Sequence, residues 1–408
     1  MRNAVTLVLV LVGQGALAHG TPPQTLSVSA SPFAPGGLVA STTFGLLVTE
    51  DRCTWQWVCP DQLELGAREQ PVWFVAPSGT LFAGALSGLS VSRDRGCSFT
   101  REPFFQEAGP ADFAFSDGRL YVATGKFGAT NGLAVSEDDG RTFRWTPLRE
   151  ALAFFSAVKV APSRPQRVYA SSWYFEPRRA RLSISDDGAQ TFTHLDVPQL
   201  LAPGSVFTVH GVSATDPELI FASVTDDAVT PVRSTLLRSL DAGRTFSVVL
   251  QAEGRVTSLA QDGDHWWVSV GDRVFASPEG LSFSLLPSPK ERACVSRVGA
   301  QTLVCGRPQT DGYSLAIAGA PVEPLLTWDR ISGPIACPAG SPSASRCEAR
   351  WPVERSELGL PPEHVAACGE PPRPVTMRSG CEAGAGAAHL AVLVFFLRRR
   401  RRVESGGR

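Results

Sequence analysis

The sequence predicts an all-β fold: a β-propeller of seven blades, with six as the runner-up count. A Pro/Gly/Cys-rich stalk and a hydrophobic C-terminal tail follow it. Three observations predict this. One eight-residue phrase recurs with a period of about 40 to 50 residues, the length of a propeller blade. Short β-rich runs precede each copy at a similar offset. Patterns long enough for helices are nearly absent before residue 332.

The phrase reads Ser92-Arg-Asp94-Arg-Gly96-Cys-Ser98-Phe99, Ser136-Glu-Asp138-Asp-Gly140-Arg-Thr142-Phe143, Ser185-Asp-Asp187-Gly-Ala189-Gln-Thr191-Phe192 and Ser239-Leu-Asp241-Ala-Gly243-Arg-Thr245-Phe246. A degraded copy ends at Phe283, and a weaker one ends at Thr54-Trp55. The Asp carboxylate can accept hydrogen bonds from the N–H groups of a tight turn, and the Gly relieves strain where the chain reverses. Ser and Thr add local hydroxyl bonds. The closing aromatic starts the next strand and points into the blade.

This phrase resembles the Asp-box of BNR/sialidase-type β-propellers, and the resemblance covers about residues 25 to 330. It implies that each copy is the turn between the third and fourth strands of a blade, on the face opposite the usual active site. Asp94, Gly96, Phe99, Asp138, Gly140, Phe143, Asp187, Phe192, Asp241, Gly243 and Phe246 are then structural, not acids or ligands.

Between the boxes, Thr80-Leu-Phe-Ala-Gly, Arg119-Leu-Tyr-Val-Ala, Arg167-Val-Tyr-Ala-Ser, Leu219-Ile-Phe-Ala-Ser and Trp266-Trp-Val-Ser-Val read as second strands. Gly88-Leu-Ser-Val, Leu133-Ala-Val, Arg181-Leu-Ser-Ile and Leu236-Leu-Arg-Ser read as third strands. A seventh blade fits from Ala293 to about Ile331, with Trp328 in the aromatic position of an eroded box. The first strand, Thr25 to Phe33, is expected to close the ring. From about Ser332 the composition shifts to Pro, Gly, Ser, Ala and Cys, with an extended spacer at Pro361–Gly380. Arg350-Trp-Pro-Val-Glu-Arg reads as a short helix on the last blade.

Both ends carry processing signals. Arg2, the apolar run from Ala4 to Val12 and Ala16-Leu-Ala18 make residues 1–18 a secretory signal peptide. The propeller then occupies 19–331 and the stalk 332–380. Ser379-Gly380-Cys381 precedes an apolar run from Ala383 to Leu397 and five arginines, Arg398 to Arg402, with a polar end at 403–408. Residues 381–402 resemble the MYXO-CTERM sorting tail of myxobacterial exported proteins. That resemblance implies a dedicated sorting protease, besides signal peptidase, and a surface anchor on Cys381. The protein is therefore expected at the cell surface or outer membrane, with a single-span inner-membrane anchor as the alternative. Export makes disulfides plausible. Without Cys381, eight cysteines remain, an even number. Cys294–Cys305, flanking a hairpin, is the favoured pair, and Cys337–Cys347 is the second choice.

The 38 basic and 39 acidic residues nearly cancel, which gives no reason to expect nucleic acid. No cysteine spacing matches a zinc pair or a haem site, so no metal and no cofactor is expected. A sialidase needs an arginine triad, a Tyr nucleophile paired with Glu, and an Asp acid/base. Its Arg-Ile-Pro motif is missing, and of the four tyrosines Tyr121 and Tyr169 sit inside second strands. No catalytic residue is assigned. The loops after the second strands, at Thr124–Asn131, Ser171–Ala180 and Thr225–Ser234, form the face opposite the boxes. There Trp173 or Tyr174 could stack on a sugar, while Arg178 and Arg179 could hold an anion, with Lys126 and Arg233 on neighbouring loops. The plainer reading makes these a loop cover and solvated cations. The expectation is a monomeric, surface-anchored, non-catalytic propeller that binds a glycan or an envelope or secreted protein. The alternative is a tethered glycoside hydrolase, with Glu176, Asp226 and Asp227 as candidate acids.

Overall fold

Seven sheets, each built on four consecutive antiparallel strands, succeed one another along the chain among the described residues of the computed structural model, and the first gains a fifth strand. Those residues are 22–66, 69–174, 179–197, 205–286, 294–319, 321–361, 365–368 and 370. The blades span 25–58, 72–102, 110–151, 153–196, 205–253, 256–285 and 295–326. First strands of successive blades pack side by side, so they form the inner ring. The protein is a seven-bladed β-propeller. The expected signal peptide at 1–18 and the expected tail at 381–402, with Cys381, lie outside the described residues.

The second strands explain why the ring holds together. Each is buried on both faces, as expected for a strand sandwiched between two other sheets. In blade 3, Leu120 and Val122 join Phe82 and Phe113 at the junction with blade 2. The alternate residues, Tyr121 and Ala123, join Phe155 and Val168 at the junction with blade 4. The same period of two recurs around the ring, and among the described residues an apolar cluster fills every junction, including that between blades 7 and 1. Full burial of a large apolar side chain stabilises by about 1.5–3 kcal/mol relative to exposure.

All four close copies of the repeated phrase form the same turn between third and fourth strands. In the second copy the Ser136 hydroxyl donates to Asp138 Oδ1 (2.8 Å) and accepts from the Gly140 N–H (2.8 Å). Asp138 Oδ1 also accepts from the Thr142 N–H (2.9 Å), and Oδ2 from the Thr142 hydroxyl (2.6 Å). Asp94, Asp187 and Asp241 make the equivalent bonds. Gly140 has φ +72°, and a Cβ there would lie 2.4 Å from the Phe82 ring of blade 2. At Gly243 (φ +89°) it would lie 2.2 Å from Leu182 of blade 4. The glycine therefore serves the turn and lets neighbouring blades approach.

These bonds hold the carboxylates in their charged form. The Thr142 hydroxyl is the largest cause for Asp138 and the Thr191 hydroxyl for Asp187, and each acid is lowered to about 2. For Asp241 burial opposes the shift, but the Thr245 hydroxyl and N–H outweigh it and also bring it to about 2. A depressed folded-state pKa means stability present above the unfolded value of 3.8 and lost as pH falls from there towards 2. Asp138→Ala or Asp241→Ala is expected to cost about 1–3 kcal/mol at pH 7. Each should also flatten the acid limb of the stability profile. Unchanged denaturant midpoints at both pH 7 and pH 3 would refute this role.

Closure of the ring differs from expectation. Thr25–Ala30 is the inner strand of blade 1 and does not complete the last blade. Instead the chain returns after blade 7, and Ile331–Pro334 pairs in parallel with Trp55–Val58, the outer strand of blade 1. Trp328 is not the aromatic of an eroded box, because it follows the fourth strand Glu323–Leu326. It is buried at the junction, edge-on to Phe44 at 5.1 Å. The short helix expected on the last blade is a 16-residue helix, Pro342–Glu357, packed on blade 1. Its start is set by the Ser341 hydroxyl, which accepts from the Ala344 N–H (3.2 Å), and by Pro342 in the first turn. Trp351 of this helix lies 5.5 Å from Trp57.

All eight cysteines at these positions pair. Cys294–Cys305 bridges its hairpin as favoured. Cys337–Cys347 does not form: the pairs are Cys97–Cys337, Cys59–Cys347 and Cys53–Cys368. The physical reason is that the returning strand and helix run against blades 1 and 2, so each cysteine faces a partner there and not its sequence neighbour. Residues 331–360 are thus built onto the propeller as a clasp.

Candidate functional site

The loop Gly125–Ala129 joins the second and third strands of blade 3, on the face opposite the repeated turns. Asn131, fully buried, fixes it. Its Oδ1 accepts from the Lys126 N–H (2.8 Å), and its Nδ2 donates to the carbonyls of Lys126 (2.9 Å) and Ala153 (2.8 Å). That ties the loop to the first strand of blade 4. The anchored loop holds Phe127 outward, 78% exposed.

Beside it, Ala153–Ala161 opens with two phenylalanines. The strand period of two sends Phe155 into the core and leaves its neighbour Phe154 half-buried at the surface. Phe127 lies 6.0 Å from Phe154, and Phe154 stacks on Trp173 at 4.6 Å with their planes 12° apart. Leu152, in the turn that joins blades 3 and 4, is 60% exposed beside them. These residues make an aromatic row across two blades.

The sequence-predicted residues fall in different surroundings. Trp173 and Tyr174 lie in the second strand of blade 4, Arg164–Tyr174, and not in the loop. Trp173 belongs to the aromatic row. Tyr174 is 5% exposed, and its hydroxyl donates to Glu150. Burial, with Glu150 as the acceptor, pushes this phenol up to about 12. Arg179 lies 4.0 Å over the Tyr174 ring and 4.0 Å from Glu150. Arg181 donates to Glu150 (2.9 Å) and Asp196 (3.1 Å). Tyr174 and Arg179 are therefore part of an internal network. Arg178 and Glu176 lie outside the described residues. Lys126 lies next to the row, with its Nζ donating to the Gln106 carbonyl (3.3 Å). Arg233 is exposed at the start of a strand in blade 5. The structure brings Lys126 and Trp173 to one surface and shows no contact between Arg233 and that surface.

Of the candidate acids, Asp227 is ion-paired to Arg255 at 2.8 Å, and Asp226 accepts from the Ala228 N–H (3.0 Å). Among the described residues no group of three His, Cys, Asp or Glu side chains is placed to hold a metal. No helix among them is long and apolar enough to cross a membrane.

A groove of about 570 Å³ adjoins the row at the rim between blades 2 and 3. Phe104 and Glu107 form one side; Lys126, Phe127, Trp145 and Arg149 form the other. Sequence reasoning missed Phe127, Phe154, Trp145 and Arg149. Only the paired aromatics at 154–155, read with a period of two, signal an outward ring.

No protein-family model matches this chain, and neither does any curated protein. Solved structures do share the fold. A puromycin-hydrolysing peptidase of Mycobacterium tuberculosis aligns at TM-score 0.50 with 13% identity, over 74% of this chain and 52% of that one. An ancestral GH74 enzyme aligns at 0.48 with 15% identity, over 63% of this chain and 36% of the other. A Hadza microbial sialidase aligns at 0.42 with 14% identity, over 64% of each. At these identities the likeness is one of fold alone.

Proposed function

We propose that this protein is a non-catalytic recognition propeller that binds a glycan through the loop face of blades 3 and 4, and that it is exported and held at the cell surface by its C-terminal tail. The observation that carries the binding reading is the row Phe127–Phe154–Trp173. Aromatic faces fixed on strands offer a large apolar contact at little cost in ordering, which suits the C–H face of a sugar ring. Of the described acids considered for hydrolysis, Asp227 is ion-paired to Arg255 and Asp226 accepts from the Ala228 N–H.

A glycan array probed with the full-length secreted protein tests the reading, with every hit assayed for release of reducing sugar. Phe127→Ala and Trp173→Ala are each expected to weaken binding at least tenfold, with Phe127→Ala leaving the melting temperature unchanged. Turnover of a hit would overturn the non-catalytic reading, and no glycan binding at all would overturn the glycan reading in favour of a protein partner. The anchoring reading rests on Cys381 and the tail that follows it. A Cys381→Ala variant retained on the surface as well as wild type would remove it.

A further inference from the structure

We infer that the rim groove between blades 2 and 3 selects an acidic polysaccharide, with Arg149 binding the carboxylate of a hexuronate unit while Phe127 meets the sugar face. The inference rests on the glycan reading above and adds the substrate class.

The argument begins with Arg149. It is exposed, and its guanidinium lies 4.7 Å over the ring of Trp145. Among the described residues no hydrogen bond or ion pair engages it. Three other arginines of this face are committed: Arg181 to Glu150 and Asp196, Arg255 to Asp227, and Arg101 to the carbonyls of Glu64 and Ser87; Arg233 is exposed on blade 5, away from the groove. A guanidinium held over an indole by a cation–π contact keeps its N–H donors free. Those donors suit a bidentate carboxylate, and the contact removes part of the entropy that a free arginine would lose on binding.

Trp145 is itself held in place, 4.9 Å from Phe104 and within reach of Phe105 at 6.3 Å. The turn Pro103–Phe105 thus braces the arginine from blade 2. Lys126 supplies the second cation at the lip, its Nζ bonded only to the Gln106 carbonyl (3.3 Å) among the described residues. Glu107 is the one acid in the lining and carries no ion pair among the described residues. The lining is therefore net positive, in a chain whose overall charge is −1. A volume of about 570 Å³ lies within the ordinary range of ligand sites. An anionic group beside an apolar planar face is the chemistry of a uronic acid unit.

The test uses the full-length protein and three probes: oligogalacturonate, its fully methyl-esterified form, and a neutral β-glucan oligomer, each titrated by calorimetry. Oligogalacturonate is expected to bind at least tenfold tighter than its ester, and the preference should shrink between 0.05 and 0.3 M salt, roughly threefold or more. Arg149→Gln should remove the preference for the acid while leaving binding of the ester unchanged. Phe127→Ala should weaken both. Equal affinity for acid and ester in the wild type, or an unaffected Arg149→Gln, would overturn the inference while leaving the glycan reading in place. Failure of the wild type to bind any of the three would overturn the inference, whereas the glycan reading would fall only with an array that gives no hit. Binding of acidic peptides through Arg149, with none of the sugars bound, would assign the groove to a protein partner and overturn the polysaccharide assignment.

Discussion

Removing the clasp disulfides is expected to unfold the protein. The pairs Cys53–Cys368, Cys59–Cys347 and Cys97–Cys337 join residues 315, 288 and 240 positions apart, so each encloses at least blades 3 to 7. In the chain-entropy account, a cross-link stabilises by restricting the unfolded chain, and the effect grows slowly with loop length. The three loops are nested. Once one is closed, each further pair closes only the short segments between neighbouring cysteines. Loss of any single pair is therefore expected to cost about 3–4 kcal/mol, whereas loss of all three removes the long-loop contribution as well and exceeds the typical stability of a domain. The double variant Cys59→Ala/Cys347→Ala, which leaves no free thiol, should show a lower denaturant midpoint and a steeper slope, because the freed denatured chain exposes more surface. Full reduction under native conditions should release the strand Ile331–Pro334 from Trp55–Val58 and give cooperative unfolding. A melting temperature unmoved by verified reduction would refute the clasp.

This device could not be read in the sequence, for a definite reason. The repeated phrase is local: Ser136, Asp138, Gly140 and Thr142 make their bonds within one turn, so spacing alone specifies the turn and, repeated, the blades. The second strands were equally legible, because burial on both faces demands continuous apolar runs. Closure is a long-range choice. A strand added in parallel to blade 1 has no turn beside it and no box to mark it, and Ile331-Ser-Gly-Pro334 resembles a spacer by composition. The disulfides followed the same logic, since only the hairpin pair Cys294–Cys305 was local enough to infer.

The candidate site was legible as a region but not residue by residue. The sequence reads Ser171–Ala180 as a loop, yet the second strand runs on through Trp173 and Tyr174. In a strand, neighbours point to opposite faces. Trp173 thus joins the surface row, while Tyr174 turns inward to Glu150. Phe127 and Arg149 had no local signal, because their roles come from Phe154 in blade 4 and Trp145 in the outer strand of blade 3.

That alternation separates structure from binding in a second pair of variants. Glu150 receives the Tyr174 hydroxyl, Arg181 at 2.9 Å and Arg179 at 4.0 Å, and its side chain is 23% exposed. Glu150→Ala would leave a buried phenol without its acceptor and Arg181 with Asp196 alone. Removing one partner from a fully buried charge network costs about 3–5 kcal/mol, and the partial exposure here reduces that to about 2–4 kcal/mol. Glu150→Gln retains an acceptor for the phenol but loses the charge opposite two arginines, so it should cost less. Tyr174→Phe removes one donor and leaves Glu150 paired with Arg181, at about 1 kcal/mol. The order Glu150→Ala, Glu150→Gln, Tyr174→Phe in unfolding free energy is the signature of a structural network. Glycan affinity should move for Trp173→Ala and not for these three variants, because Tyr174 presents no face to a ligand. A Tyr174→Phe variant with wild-type stability and lost glycan binding would reverse the assignment and return Tyr174 to the binding surface.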